Sequence, residues 1–567
     1  MEEEMRWNVL SKFEIQNSKF QTNLKLQIQN IQKILLKNRG IIEKEEIQHF
    51  LNPSLSHLER DFFDKKQLEK ALKRITCAID KHEQIVIYSD YDVDGITGTA
   101  ILWETLKSCG ASVMPYVPHR LTEGYGLSKK GIDNLVKEFP GTKLVITVDN
   151  GISANEAVTH AQEKKIDVIV TDHHTKPDIL PDAHAIIHTT ELSGSGVALL
   201  FSRKTIEQYS HSTIQPSNQL DHLALAALGT IADLVPLIGA NRVIASFGLA
   251  QLNKTKRLGL RALIEEIGLS EKPIGAYEVG FMIGPRINAS GRLGHALDSL
   301  RLLCTKDQAR AWMLARSLNS LNKQRQDMLL SATEHALSLA DTSARFLVVA
   351  HESYHEGVIG LIAGNLVEAH YRPAIVLSKG EVFSKASGRS IRGFNIVEAI
   401  RSCSELLVGV GGHPMAAGFT VETKNIEALA KRLNEIALSR ITDDMLEKAL
   451  RIDGEIPFQI VTSELYDALQ TFRPYGIGNP EPVFATTGVE ILDVRTVGRD
   501  QTHLKLVVRQ GHTTFDAMAF GKAKLFPGIV PGSKADIAYS ISLNEWNGKT
   551  SLQLIVRDIH QASMLLL

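Results

Sequence analysis

Three aspartates on alternate residues, Asp90, Asp92 and Asp94, follow the β-branched run Ile85-Val86-Ile87 in the stretch IVIYSDYDVDGITGTA. Carboxylates this close repel one another unless a cation sits among them, and a hard divalent ion is the natural counter-charge. Two further strand-like runs end in the same way. KLVITVDNG (143–151) delivers Asp149, and DVIVTDHH (167–174) delivers Asp172, His173 and His174. A last acid, Asp233, interrupts the apolar helical stretch HLALAALGTIADLV (222–235). Burying a carboxylate unpaired among Ala, Ile and Leu is unfavourable. Asp233 therefore either ends its helix facing water or joins the cluster as a ligand, and the neighbouring acids favour the second. Pooled, Asp90, Asp92, Asp94, Asp149, His173 and Asp233 make an oxygen-rich set with one imidazole. Such a set suits Mn²⁺ or Mg²⁺, as one ion or two, better than zinc. An EF-hand is excluded, because position twelve from Asp90 is Ile101 where calcium needs a bidentate Glu.

The chemistry expected of such a set is phosphoester hydrolysis, in which a divalent ion acidifies water, neutralises the phosphate and stabilises the departing oxygen. His174 either hydrogen-bonds the phosphate and moves a proton, or serves as a structural histidine. Arg286, in the glycine- and proline-rich stretch GFMIGPRINASGRLG (280–294), and Arg389, in SGRS (387–390), offer forked donors suited to phosphate. Each is alternatively a structural salt-bridge arginine. GGHPMAAG (411–418) adds His413 in a Gly-rich turn that permits close backbone approach.

These residues need elements to hold them. Between about 82 and 235, strand-like and helix-like runs alternate, which indicates a parallel, doubly wound sheet with its ligands at the carboxyl ends of the strands. Gly95 is expected to turn the chain, and Thr97 to cap a helix beginning near Gly98. The stretch 280–294 reads as a loop, and 305–340 as a long helix connecting two lobes. A second α/β unit follows in FLVVAHESYHEGVIGLIAGNL and the strands after it. Past 455, five short strands and the Asn-Gly pair of NEWNGKT suggest a small barrel of the OB type. Its Arg499, His503, Lys505 and Trp546 are either strand contacts or ordinary surface and core. The expected divisions are a helical N-terminal region (1–80), a catalytic α/β domain (81–240), a helical connector (241–340), a second α/β domain (341–445) and the barrel (455–567).

Composition is that of an ordinary globular chain, 44% hydrophobic and 22% charged. With 63 basic and 64 acidic residues the net charge is −1, so a polyanion has to be met by local arginines, lysines or metal. No apolar run approaches the ~18 residues of a membrane span, and MEEEMRWNV lacks the features of a signal peptide. The four cysteines are scattered without a C-x-x-C, which fits a reducing cytoplasm.

The motifs SDYDVDG, TVDNG, TDHH and LGTIADLVPL resemble, in order, the four motifs of the DHH phosphoesterase family. GPRINASGRLG, HEGVIGLIAG, SGRS and GGHPMAAG look like the additional signatures of that family's single-strand-specific 5′→3′ DNA exonucleases. The resemblance runs from about residue 80 onward. It implies two α/β lobes, a DHH domain and a DHH-associated domain, joined by a long helix, plus a C-terminal OB-fold β-barrel. It also implies metal ligands at Asp92, Asp94, Asp149, His173 and Asp233, with Asp90 a supporting or additional carboxylate that forms the catalytic pair with His174, and a nucleic-acid path along Arg286, Ser387, Arg389 and His413. The chain departs from the family pattern at Tyr354-His355, where Trp-His is common, and at SGRS, where SARS is common. By resemblance the substrate is single-stranded DNA, in repair and recombination, with a helicase and a single-strand-binding protein as partners and a monomer as the default state. The chain ends soon after the barrel strands, so no further partner-binding domain is expected. The competing readings are a DHH phosphodiesterase for short oligonucleotides, cyclic dinucleotides or polyphosphate, and a non-catalytic single-strand-binding scaffold. A separate barrel speaks against the first, and a complete set of mutually repelling acids against the second.

Overall fold

A computed structural model describes residues 5–11, 24–124, 126–209 and 216–561. Its Cα packing divides into two units: Leu58–Val235 with Phe247–Glu447, and Met1–His57 with Pro236–Ser246 and Lys448–Leu567. The mixed α/β architecture with a closed terminal barrel agrees with the expected fold.

The first unit begins with a five-stranded sheet of β1 (Gln84–Ser89), β2 (Val113–Tyr116), β3 (Thr142–Val148), β4 (Asp167–Asp172) and β5 (Ala185–His188). All pairings are parallel and the order is β2-β1-β3-β4-β5. Strands β1, β3 and β4 are buried almost throughout, as a sheet covered on both faces requires. The chain leaves β1 towards β2 on one side and has β3 on the other, so a crevice opens beyond the ends of β1 and β3. Ser89 lies opposite Val148, which puts Asp90 and Asp149 at one level of that crevice. Helix α1 (Val93–Ser108) follows β1, and α2 (Gly194–Gln208) and α3 (Pro216–Ala232) follow β5.

Two local expectations are corrected. Helix α1 starts at Val93, capped by Asp92, whose side chain accepts from Gly95 N at 3.0 Å. Thr97 instead bonds back to Val93 O at 2.8 Å inside the helix, because the earlier Asp already satisfies the free amides. The stretch 280–294 is helical rather than a loop. One π turn, Val279–Ile283, runs into α4 (Gly284–Leu293), with Pro285 in the first turn, where a missing N–H is harmless.

Helix α5 (Gln308–Leu339) connects this lobe to a second sheet of β6 (Leu347–His351), β7 (Ala374–Ser378), β8 (Phe383–Arg389), β9 (Leu407–His413) and β10 (Ala416–Glu422). Its order is β9-β10-β8-β7-β6, with only β6 and β7 parallel.

In the second unit, Phe484–Val497, His503–Gln510, Thr513–Ala519, Lys534–Trp546 and Lys549–Gln561 form a barrel that closes through pairing of the first and fourth strands. Asn547 and Gly548 both have positive φ, as the tight hairpin between the last two strands demands. Helix Leu24–Lys37 lays Ile28, Ile31 and Leu35 on this barrel's core, whereas helix Lys65–Asp80 belongs to the first unit. Of the barrel residues named from sequence, the Trp546 side chain lies outside the described residues.

Candidate active site

Asp94, on the first turn of α1, is fully buried and accepts from Gly194 N at 2.5 Å and Ser195 N at 2.9 Å. These are the first free amides of α2, so the carboxylate sits on a helix N-terminus, where dipole and N–H groups favour negative charge. Asp149 leaves β3 with φ 64°, a left-handed conformation that Asp tolerates better than most side chains. A Cβ at Gly194 would come within 2.6 Å of the Asp149 carboxylate, so only glycine lets α2 approach this closely. Asp233 directly follows the last turn of α3, its N–H bonded to Gly229 O at 2.9 Å.

His173 Nε2 is the hub. It lies 3.1 Å from Asp149 Oδ1, 3.5 Å from Asp233 Oδ2 and 4.0 Å from Asp94 Oδ2. Ligand-capable atoms fall into overlapping groups, Asp94-His173-Asp233, Asp149-His173-His174 and Asp90-Asp92-Asp149, each within 4.8 Å. The sequence-predicted acids and histidines therefore come together, and Asp90 sits among the potential ligands.

The electrostatics fit a cation. Burial and then the Asp92 charge push Asp90 well above the usual carboxylate range, and burial and Asp94 do the same to Asp149. Asp92 is raised by burial and Asp94, and Asp233 is pushed up to about 9 by burial and Asp94. Asp149 Oδ1 and His173 Nε2 are buried with no hydrogen-bond partner, which is costly unless something positive ligates them. Mostly oxygen donors with imidazole suit Mn²⁺ or Mg²⁺.

Asp172, at the end of β4, organises the histidines. Its Oδ1 takes His173 N at 2.7 Å, His174 N at 3.1 Å and His174 Nδ1 at 2.7 Å, while Oδ2 takes Ile152 N at 2.9 Å. Burial alone would raise this carboxyl, but the His174 hydrogen bond and the backbone donors hold it below its ordinary range. Burial lowers His174 and the Asp172 bond more than reverses that, leaving it raised. The His174 ring lies nearly parallel to that of His413 from β9, at 6.0 Å and 10°.

An arginine group stands beside the acids. Arg120 lies over the Tyr91 ring, 5.2 Å from its centroid, and Tyr91 sits between Asp90 and Asp92. Arg292 of α4 donates to Gly357 O at 2.9 Å and is held down at about 10 by burial, then by Arg120, Arg325 and Arg389. Arg325 of α5 donates to Asn322 Oδ1 through Nε and Nη2. Arg389 donates to Gly388 O at 2.8 Å and Ser387 Oγ at 3.2 Å, and is lowered by burial and Arg120. Among the described residues none of these four has a carboxylate partner. Arg286 is further back, giving Nε to Asn319 Oδ1 at 2.9 Å and Nη1 to Met282 O at 2.6 Å.

Family models match in the same order as the folded parts: DHH family, N-terminal domain, over 84–230; DHHA1 domain over 343–438; and RecJ OB domain over 452–558. The single-stranded-DNA-specific exonuclease RecJ of Bacillus subtilis is 38% identical, covering 92% of this chain and 67% of its own length. That of Escherichia coli is 32% identical, covering 93% and 95%. The chain belongs to the RecJ family. The crystal structure of Thermus thermophilus RecJ with Mn²⁺ superposes with a TM-score of 0.83 at 30% identity, covering 99% of this chain and 80% of that one. The same protein with Mg²⁺ gives 0.75 at 30% identity, covering 99% and 79%.

Within this RecJ-family site, Arg120, Arg292, Arg325 and the Gly194-Ser195 amides were not singled out from sequence, and Asp172 was placed at the sheet edge without a role of its own. Arg120 carried a signal, since it stands just past the end of β2 at the same sheet edge as the acids. Arg292 lies in the same stretch as Arg286; burial and then Arg286 lower Arg325, while Arg292 is itself held down by burial, then by Arg120, Arg325 and Arg389.

Proposed function

We propose that this RecJ-family chain digests single-stranded DNA from its 5′ end to mononucleotides by metal-dependent hydrolysis, in DNA repair and recombination. The observation that carries the reading is the adjacency of the acid–histidine cluster to four arginines, drawn from both α/β lobes, that form no carboxylate salt bridge among the described residues. A terminal phosphate matches those forked donors in charge and geometry, and it leaves the next phosphodiester at the acids.

Mn²⁺ or Mg²⁺ would be held by Asp92, Asp94, Asp149, His173 and Asp233, with Asp90 as a further or supporting carboxylate. When bound, such ions acidify water and neutralise the phosphate oxygens. The chain's own groups do the rest. The α2 amides fix Asp94 through both oxygens. Asp172 occupies His174 Nδ1, which leaves Nε2 to donate to a phosphate or leaving oxygen. Arg389, Ser387 and His413 contact the strand from the second lobe, and Arg286 contacts it from α4. In this division 81–240 carries the chemistry, 341–445 binds substrate across the 241–340 connector, and 455–567 grips the strand separately. A monomer working in the cytoplasm with a helicase and a single-strand-binding protein fits such an activity. Among the described residues no helix is long and apolar enough to cross a membrane.

The test is digestion of a strand labelled at either end, with a 5′-phosphate or 5′-hydroxyl, in Mn²⁺, Mg²⁺ or chelator, beside a blunt duplex. Metal-dependent release of mononucleotides from the 5′ end, with the duplex spared, is the expected result. Release from the 3′ end, or equal digestion of the duplex, overturns it.

A further inference from the structure

The π turn ahead of α4 has no part in the chemistry above, yet it carries a conspicuous surface. Tyr277 and Phe281, four positions apart, stack with centroids 4.9 Å apart and planes at 28°. Both are solvent-facing, at 64% and 70% exposure. Two large rings left in water forgo the burial that ordinarily fixes aromatics inside, and a π turn is itself uncommon and tends to mark functional sites.

The segment that carries the pair runs into a helix packed beside the acids' own helices. A Cβ at Gly284, one turn beyond Phe281, would be 3.4 Å from Ala232 Cβ and 3.8 Å from Val93 Cγ2. Ala232 precedes Asp233, and Val93 stands between Asp92 and Asp94. Leu234, next to Asp233, is a further exposed apolar side chain at 65%. The acid just before the turn, Glu278, accepts from Gly275 N at 2.9 Å. The stacked rings thus form an exposed aromatic surface on the segment that leads into α4, and an aromatic face is what a nucleobase stacks on regardless of its identity.

We propose that Tyr277 and Phe281 form a stacking platform for one base of the single strand as it passes the metal-binding acids. The proposal rests on the single-strand reading above. Stacking would hold the strand in register against the acids without reading its sequence.

The test uses the full chain with Mn²⁺ and a series of strands, each with one abasic position counted from the 5′ end. Wild-type protein should lose about tenfold in kcat/KM at one position of the series. The Tyr277→Leu/Phe281→Leu double variant, which keeps an apolar surface but no rings, should lose about the same on intact strands, mainly through KM, and show a flat series. Tyr277→Phe/Phe281→Trp keeps the rings and should restore the position-dependent profile. A leucine variant with the wild-type KM and profile overturns the platform while leaving the exonuclease reading standing, and points to a protein partner for the patch. A wild-type protein that leaves every strand intact overturns both.

Discussion

Asp149 Oδ1 lies 3.1 Å from His173 Nε2, and neither atom finds a hydrogen-bond partner in the protein. These two atoms join the Asp90-Asp92-Asp149 group to the Asp94-His173-Asp233 group, so loss of either side chain should disable both. Asp149→Ala should reduce strand digestion by at least about a thousandfold without unfolding the protein, because it removes one of several mutually repelling buried carboxylates. Mn²⁺ at a hundred times its Kd should stabilise the wild type by about 2.7 kcal/mol, and the variant by much less. Thermal melts with and without Mn²⁺, beside the digestion assay, check both statements.

Arg292 and Arg389 donate to backbone and hydroxyl oxygens and, among the described residues, form no salt bridge with an acid, so a strand phosphate is their expected counter-charge. Arg292→Ala or Arg389→Ala should each cost about 2 kcal/mol in binding 5′-phosphorylated strands and little on 5′-hydroxyl strands, with Mn²⁺ affinity unchanged. Strand-binding titrations at several salt concentrations, paired with Mn²⁺ titrations, separate the two effects. Equal losses on both ends would place the terminal phosphate elsewhere.

Asp172 fixes the His174 ring through Nδ1 at 2.7 Å. Asp172→Asn keeps the shape but loses the charge that selects the ring's tautomer. It should lower kcat about a hundredfold with KM nearly unchanged, which steady-state kinetics on a short strand will show.

Away from the site, Glu104 of α1 accepts from Arg257 at 2.6 and 2.8 Å and lies 2.9 Å from His222 Nε2. Burial opposes its charge, but His222 and Arg257 prevail and bring it from 4.5 down to about 2. Its folded value is depressed, so its stabilisation is present above pH 4.5 and lost as pH falls towards 2. With partial exposure allowed for, this amounts to about 2 kcal/mol. Urea denaturation from pH 7 downward should therefore show wild type and Glu104→Gln converging, with the gap widest at neutral pH.

The acids were legible because their positions follow from short-range pattern. β-branched runs alternating with helical runs leave few options besides a parallel doubly wound sheet, and such a sheet gathers the residues after its strands at one edge. Asp90, Asp149 and His173 were fixed to a common site by that rule alone. The helical state of 280–294 was hidden because its glycines and proline mark a loop in isolation, and only packing of α4 on Tyr91 and Val93 gives them helical places.

What tertiary structure decided are the partnerships between residues far apart in the chain. The clamp on Asp94 comes from amides 100 and 101 positions away. The arginine group draws on the end of β2, on α4, on α5 and on β8. Like charges carry no local sequence signal that they will meet, since repulsion among them is tolerated only where the rest of the fold holds them together. Local pattern is enough to set the sheet, its acidic edge and the order of the domains; which side chains answer one another across that edge depends on how helices and lobes pack.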